Sequence, residues 1–189
     1  MHVPEGAGMT ASATLAIVPV KTLALAKGRL AKALPPAARR RLVLAMLDDV
    51  LALLSELEAI AGILVVTPDA DVAAHAKVRG AGLLREDRSN GLNAAVLAGA
   101  AYARSHGFTS ALVIPADVPL ATRSELLAVL ASAPAPASPR SQAVLVPSED
   151  GDGTNALLLS PSGVLQPEFG PGSFVRHVAQ AVALGRDFR

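Results

Sequence analysis

Apolar residues fall along this chain in two rhythms. Uninterrupted short runs occupy Thr14–Val20 (TLAIVPV), Gly62–Thr67 (GILVVT), Ser110–Ala116 (SALVIPA) and Ala143–Pro147 (AVLVP). Continuous apolarity is what strands covered on both faces require, so these read as strands of a parallel sheet. Ala156–Ser160 (ALLLS) reads as a further strand completing the same sheet. Between the runs the period lengthens. Pro36 to Leu54 places Leu42, Met46, Leu47, Val50 and Leu54 on one face of an amphipathic helix. Ala70–Arg79 follows Asp69, an N-cap residue, and stops before Gly80. Leu92–Ser105 is an Ala-rich helix starting beside Asn90 and Gly91, and Thr122 with Glu125 predicts a capping box for Ser124–Ala131. Gly172–Leu184 reads as a closing helix. The order is β-α-β-α repeated, which predicts an α/β fold built on a mostly parallel, Rossmann-related sheet.

Ala133–Ser141 (APAPASPRS) interrupts both rhythms and reads as a surface loop. A boundary there would leave too short a downstream segment to bury its own core, so residues 14–189 read as one domain and residues 1–13 as a loose leader. The greasiest stretch, Leu42–Leu54, is cut by Asp48 and Asp49 and is too short and too charged to span a membrane. No basic residue precedes the apolar run at Ala13–Val20 within a secretory-signal pattern, which makes the cytoplasm the default location.

Composition narrows the partners. Lys and Arg total 17 against 16 Asp and Glu, a formal net charge of +1 in 189 residues, so no global basic field exists to hold nucleic acid or an anionic membrane. One Tyr, four Phe and no Trp leave few stacking platforms for single strands. With no cysteine, disulfides, thiolate-bound metals and thiol nucleophiles are excluded. Any anion site must therefore be local.

In an open parallel sheet, ligands sit beyond the carboxyl ends of the strands. Lys21, Lys27, Gly28 and Arg29 follow the first strand: two point charges, a guanidinium fork and a glycine suit a triphosphate, while a solvated basic loop leading into a helix is the simpler reading of these residues alone. Neither a Walker A loop nor a GxGxxG fingerprint is present. Asp117, in PADVP, ends a buried strand and suits Mg²⁺, or caps the turn. Glu149-Asp150-Gly151-Asp152-Gly153 reads first as a hairpin turn, yet Thr154 and Asn155 after it offer a hydroxyl and an amide for carboxylate or phosphate oxygens. Phe169-Gly170-Pro171-Gly172-Ser173-Phe174 opens the last helix, where free N–H groups and the Ser173 hydroxyl predict an anion site. His177, one turn on, is a packing histidine or a proton carrier; His75 and His106 have no partner at metal-ligand spacing.

PVKTLALAKGRL, TPD at Thr67–Asp69, GLN at Gly91–Asn93, PADVPL at Pro115–Leu120, DGDGTNALLL at Asp150–Leu159 and FGPGSFVRH at Phe169–His177 come in the order and spacing of one family. From about residue 15 to 185 the chain resembles the guanylyltransferases of coenzyme F420 biosynthesis. The resemblance implies a GT-A-like nucleotidyltransferase fold, Mg²⁺, and transfer of GMP from GTP to a small phosphorylated three-carbon acid: 2-phospho-L-lactate, phosphoenolpyruvate or 3-phospho-D-glycerate. It implies Lys21, Lys27 and Arg29 as the catalytic triphosphate loop, and Asn90, Gly91 and Asn93 near the guanosine. It gives Asp117 as the catalytic metal ligand, with Asp152, or behind it Asp150, as the second carboxylate. Thr154, Gly170 and Ser173 would contact the acid, with Asn155 beside them. Lysines in the first loop, where sugar nucleotidyltransferases have glycines, argue against a sugar 1-phosphate. Molybdenum cofactor guanylyltransferases are the neighbouring alternative, whose acceptor would not need the Thr154/Ser173 region; a non-catalytic nucleotide-binding module is the other. A homodimer is compatible with all three.

Overall fold

A computed structural model describes residues 13–24, 30–88, 90–132 and 141–185, and the backbone of 187–188. The strands are β1 (Thr14–Pro19), β2 (Ile60–Thr67), β3 (Gly82–Arg85), β4 (Ser110–Val113), β5 (Gln142–Pro147), β6 (Thr154–Ser160) and β7 (Asp187–Phe188). The helices are α1 (Pro36–Ser55), α2 (Ala70–Val78), α3 (Leu92–Ser105), α4 (Arg123–Ala131) and α5 (Ser173–Ala183). All seven strands join one sheet in the order β3-β2-β1-β4-β6-β5-β7. Pairing is parallel from β3 to β4, whereas β6 runs antiparallel to both β4 and β5. The reversal of β6 follows from the Ser148–Gly153 link, too short for a parallel crossover. Residues 148–153 therefore form a hairpin connection, closed by Ser148 N–H to Gly153 O at 2.9 Å.

Two strands escape a reading of apolar runs. β3 is a four-residue edge strand, half-buried over Gly82–Leu84 and exposed at Arg85, and β7 has two residues. β3 does not bury enough to need a continuous apolar run, and a two-residue strand is too short to show one. The leader expected over residues 1–13 lies outside the described residues except at Ala13, which is buried and accepts backbone bonds from Thr109 and Ser110. The loop expected at Ala133–Ser141 lies outside them except at Ser141. Among the described residues no helix is long and apolar enough to cross a membrane.

Side chains of β1 divide between two cores. Ala16 and Val18 meet α1, α2 and α4 on one face, while Leu15 and Ile17 meet α3 and the α5 side on the other. Gly99 permits the close approach of α3: a Cβ there would stand 2.6 Å from Ile17 Cγ2, inside a residue with no exposure. Both expected caps form. Thr122 and Glu125 make the capping box of α4, and Asp69 Oδ1 accepts from the N–H groups of Asp71 and Val72. Asp69 does more than cap α2, because its Oδ2 also accepts the Leu23 N–H at 2.9 Å and so anchors the loop after β1.

Candidate functional site

Three groups of polar residues collect at one end of the sheet. The first is a shallow depression where β1, β2 and β3 end against the start of α3, lined by Lys21, Pro68, Glu86, Gly91 and Leu92. Gly91 takes a φ of +91°, which an L side chain rarely adopts, and so turns the chain into α3. Lys21 and Gly91 thus line one depression. Asn90 is exposed nearby in the chain, while Lys27 and Arg29 lie outside the described residues. Glu86 is new. It follows β3, and its half-buried carboxyl is pushed above the usual carboxylate range by desolvation. The signal that could have found it is a carboxylate immediately after a strand end, but that requires β3 to be recognised first.

The second group rims a cavity of about 570 Å³ beyond β4, floored by Ile114, Leu126, Val129 and Ala156. Asp117, Glu125, Glu149 and Asn155 are its polar lining residues, Glu125 being engaged in the α4 capping box with Thr122. Glu149 lines the cavity with Asp117, whereas Asp152 and Asp150, expected as the second metal carboxylate, are not among its lining residues. Asp150 is engaged within the hairpin: Oδ1 accepts from Ser148 Oγ at 2.5 Å and from Asp152 N–H at 3.1 Å, which holds its carboxyl below the ordinary range. Asp152 is exposed, and its carbonyl accepts the Phe174 N–H at 3.2 Å.

The third group is a buried polar chain between β6 and α5. The β5–β6 register shifts between Val146 and Pro147, so neighbouring residues at the start of β6 serve different sites. Asn155 lines the cavity with Asp117, whereas Thr154 meets α5. Ser173 Oγ donates to Thr154 Oγ1 at 3.1 Å, Thr154 Oγ1 lies 3.0 Å from His177 Nδ1, and the Glu168 N–H donates to His177 Nε2 at 2.9 Å. Exposure is 7% for Thr154, 1% for Ser173 and 0% for His177. His177 is thus a hydrogen-bonded core histidine, edge-on to Phe169 with ring centroids 5.1 Å apart. Desolvation pushes its pKa down; nearby Glu168 opposes this and Arg176 adds to it.

The α5 terminus differs from the open anion site expected of it. The Ser173 N–H bonds Gly170 O at 3.0 Å, the Phe174 N–H bonds Asp152 O, and the Ser173 hydroxyl turns inward to Thr154. Asn93, expected near the guanosine, is tied to the loop before α5. Its amide clamps Phe169, Oδ1 accepting the Phe169 N–H at 2.8 Å and Nδ2 donating to Phe169 O at 3.3 Å. Arg176 donates to the carbonyls of Glu168 and Pro171 at 2.8 and 2.5 Å. The Glu168–Gly172 loop is consequently held from both α3 and α5. Gly170, exposed and with a φ of +126°, has nothing within 4 Å of where a Cβ would project, so a ligand can approach it from that side.

Comparison with known proteins gives this geometry a family. A family model described as "Guanylyl transferase CofC like" matches residues 14–188. A protein of Sphaerobacter thermophilus named phosphoenolpyruvate guanylyltransferase is 40% identical over 176 residues, covering 93% of this chain and 82% of that protein. One of the same name from Nocardia farcinica is 43% identical over 175 residues, covering 90% and 75%. Among solved structures, a putative nucleotide-diphospho-sugar transferase from Desulfovibrio desulfuricans superposes with a TM-score of 0.71 at 15% identity, covering 93% of this chain and 78% of that one. A nucleotidyl transferase from Methanothermobacter thermautotroptrophicus gives 0.63 at 15% identity, covering 93% and 85%. The structural likenesses establish a nucleotidyltransferase-type fold, and the match along nearly the whole sequence establishes more: the chain belongs to the CofC-like guanylyl transferase family.

Proposed function

We propose that this protein transfers GMP from GTP to the phosphate of phosphoenolpyruvate, or of a closely related phosphorylated three-carbon acid, in the cytoplasm and within coenzyme F420 biosynthesis. The observation that carries the reading is the near full-length similarity to relatives named phosphoenolpyruvate guanylyltransferases. The acid's phosphate oxygen is already anionic near neutral pH and needs no general base. It attacks the α-phosphorus of GTP in line, a new P–O bond forms, and the bond to the β-phosphate oxygen breaks to release pyrophosphate. What the protein must supply is alignment and charge compensation.

Lys21 contributes a cation at the β1 end, joined in this reading by Lys27 and Arg29 from the same loop. Guanine presents an N1–H and a 2-amino group, both donors. The Glu86 carboxylate offers the matching pair of acceptors in the same depression as Lys21 and Gly91. The acid would sit against the Glu168–Gly172 loop, with Gly170 backbone and the Thr154 hydroxyl as its contacts and Ser173 acting through Thr154.

Mg²⁺ fits the donor set at the cavity rim. Among the described residues no cluster of three or more His, Cys, Asp or Glu side chains has metal-ligand spacing. Mg²⁺ does not require one, since it takes one or two protein carboxylates and completes its shell with water and phosphate oxygens. Asp117, with Glu149 across the same rim, would hold it. Bound there, the ion neutralises charge on the phosphates.

The test is pyrophosphate release from GTP with each of phosphoenolpyruvate, 2-phospho-L-lactate and 3-phospho-D-glycerate, with and without a chelator. Mg²⁺-dependent release with at least one acid is expected. Release with none of them removes the proposed acceptor class, and release that survives chelation removes the metal.

A further inference from the structure

The hydrogen-bond chain under α5 has a direction, and the direction can be deduced atom by atom. The Glu168 main-chain N–H can only donate, so His177 Nε2, 2.9 Å away, must present its lone pair. A neutral imidazole has one N–H, which then lies on Nδ1 and donates to Thr154 Oγ1 at 3.0 Å. Ser173 Oγ donates to the same oxygen at 3.1 Å. Thr154 Oγ1 thus accepts twice, both lone pairs are used, and its own proton must be donated elsewhere. The opposite tautomer would reverse the outcome: Thr154 would donate to His177 and turn a lone pair outward.

This difference matters for an acid substrate. A carboxylate or phosphate oxygen accepts hydrogen bonds and is repelled by another acceptor. We infer that His177 is a positioning residue which, through its Nδ1–H tautomer, makes Thr154 a hydrogen-bond donor to an anionic oxygen of the phosphorylated acid. The Glu168 N–H is the element that sets the tautomer. Ser173 reinforces it by occupying the second lone pair. His177 touches no reacting atom and has no exposure. The inference deepens the proposed function and rests on it. Desolvation of the ring favours the neutral form that the argument requires.

Two variants separate the donor from the scaffold. The amide of His177→Asn can place its N–H where Nδ1 stands, keeping the bond to Thr154. The longer His177→Gln places its amide near the Nε2 position, where it accepts from Glu168 but no longer donates to Thr154. With phosphoenolpyruvate as acceptor, His177→Gln should raise the KM for the acid by roughly ten- to a hundredfold, the worth of one hydrogen bond to a charged group. His177→Asn should stay within about threefold, and calorimetric titration of GTP should give near wild-type affinity for both. In the wild type, long-range proton–nitrogen correlation spectra should show the proton of His177 on Nδ1.

An Nε2–H tautomer overturns the inference, as does an unchanged acid KM in His177→Gln. Equal rises in both variants mark a scaffold role and also overturn it. Should a variant fail to fold, the wild-type tautomer decides. A wild type that is folded yet releases no pyrophosphate with any of the acids is a different failure: it overturns the proposed function and takes this inference with it.

Discussion

Replacing Asn93 by alanine separates two accounts of a residue that the family resemblance places near the guanosine. In the structure its amide satisfies both main-chain groups of Phe169, a residue only 8% exposed. Asn93→Ala therefore leaves a buried N–H without its 2.8 Å partner and a carbonyl without its longer 3.3 Å one. A buried donor stripped of its acceptor costs about 1–3 kcal/mol, and the weaker carbonyl bond about 0.5–1 kcal/mol more. The sum, about 1.5–4 kcal/mol, corresponds in a domain of this size to a fall in Tm of roughly 3–16 °C. The damage is directional, because the loop released is the one that carries Gly170 and leads into α5. Thermal melting should show the drop, steady-state kinetics an acid KM raised by about tenfold, and calorimetry an almost unchanged affinity for GTP. A variant that melts within about 1 °C of wild type, keeps its acid KM and loses GTP affinity would refute the clamp and return Asn93 to the nucleotide.

Three further outcomes follow from the geometry. Asp117→Asn should lower kcat at least about a hundredfold with little change in Tm, since the side chain is exposed at the cavity rim and a lost metal ligand is worth several kcal/mol of transition-state stabilisation; activity within about threefold of wild type removes it as a ligand. Glu86→Ala should narrow the GTP-over-ATP preference in kcat/KM by about tenfold or more, and a preserved preference sends guanine recognition elsewhere. Because His177 has a lower pKa folded than its unfolded value of about 6.5, the unfolded chain binds more protons below that pH, so stability falls as pH drops through about 6.5 and is insensitive to this group above it. Melting at about pH 7.5 and about pH 5.5 should show a steeper acid loss in wild type than in His177→Asn, and equal slopes would contradict the buried neutral imidazole.

Much of the fold was legible because the long strands are apolar throughout and the helices carry explicit signals. Thr122 with Glu125 and Asp69 before α2 both cap as their spacing demands. β3 escaped because an edge strand of three half-buried residues and one exposed residue needs no apolar run, and Glu86 was lost with it. The antiparallel direction of β6 was implicit in the turn residues before it, but continuous apolarity reports burial and not direction. At the site, sequence adjacency does not show which protein groups a side chain meets. Thr154 and Asn155 are neighbours in the chain yet serve the α5 chain and the Asp117 cavity respectively. A polar residue's type likewise does not reveal whether a main-chain group of its own protein already occupies it. That is why Asn93, Ser173 and the first N–H groups of α5, all expected at ligands, are found holding the loop and the β6–α5 seam. His177, left between packing and proton transfer by its position one turn into α5, is resolved by its two ring partners.

The central claim is that the GMP moiety itself is joined to the acid. Incubating the protein with phosphoenolpyruvate, Mg²⁺ and GTP labelled either on the α- or on the γ-phosphorus tests it directly. The account predicts that the α label passes into a new product containing the acid, while the γ label leaves entirely as pyrophosphate, and that labelled ATP gives at least about tenfold less product. A γ label found on the acid, or α label retained only in free GMP and GDP, would contradict it.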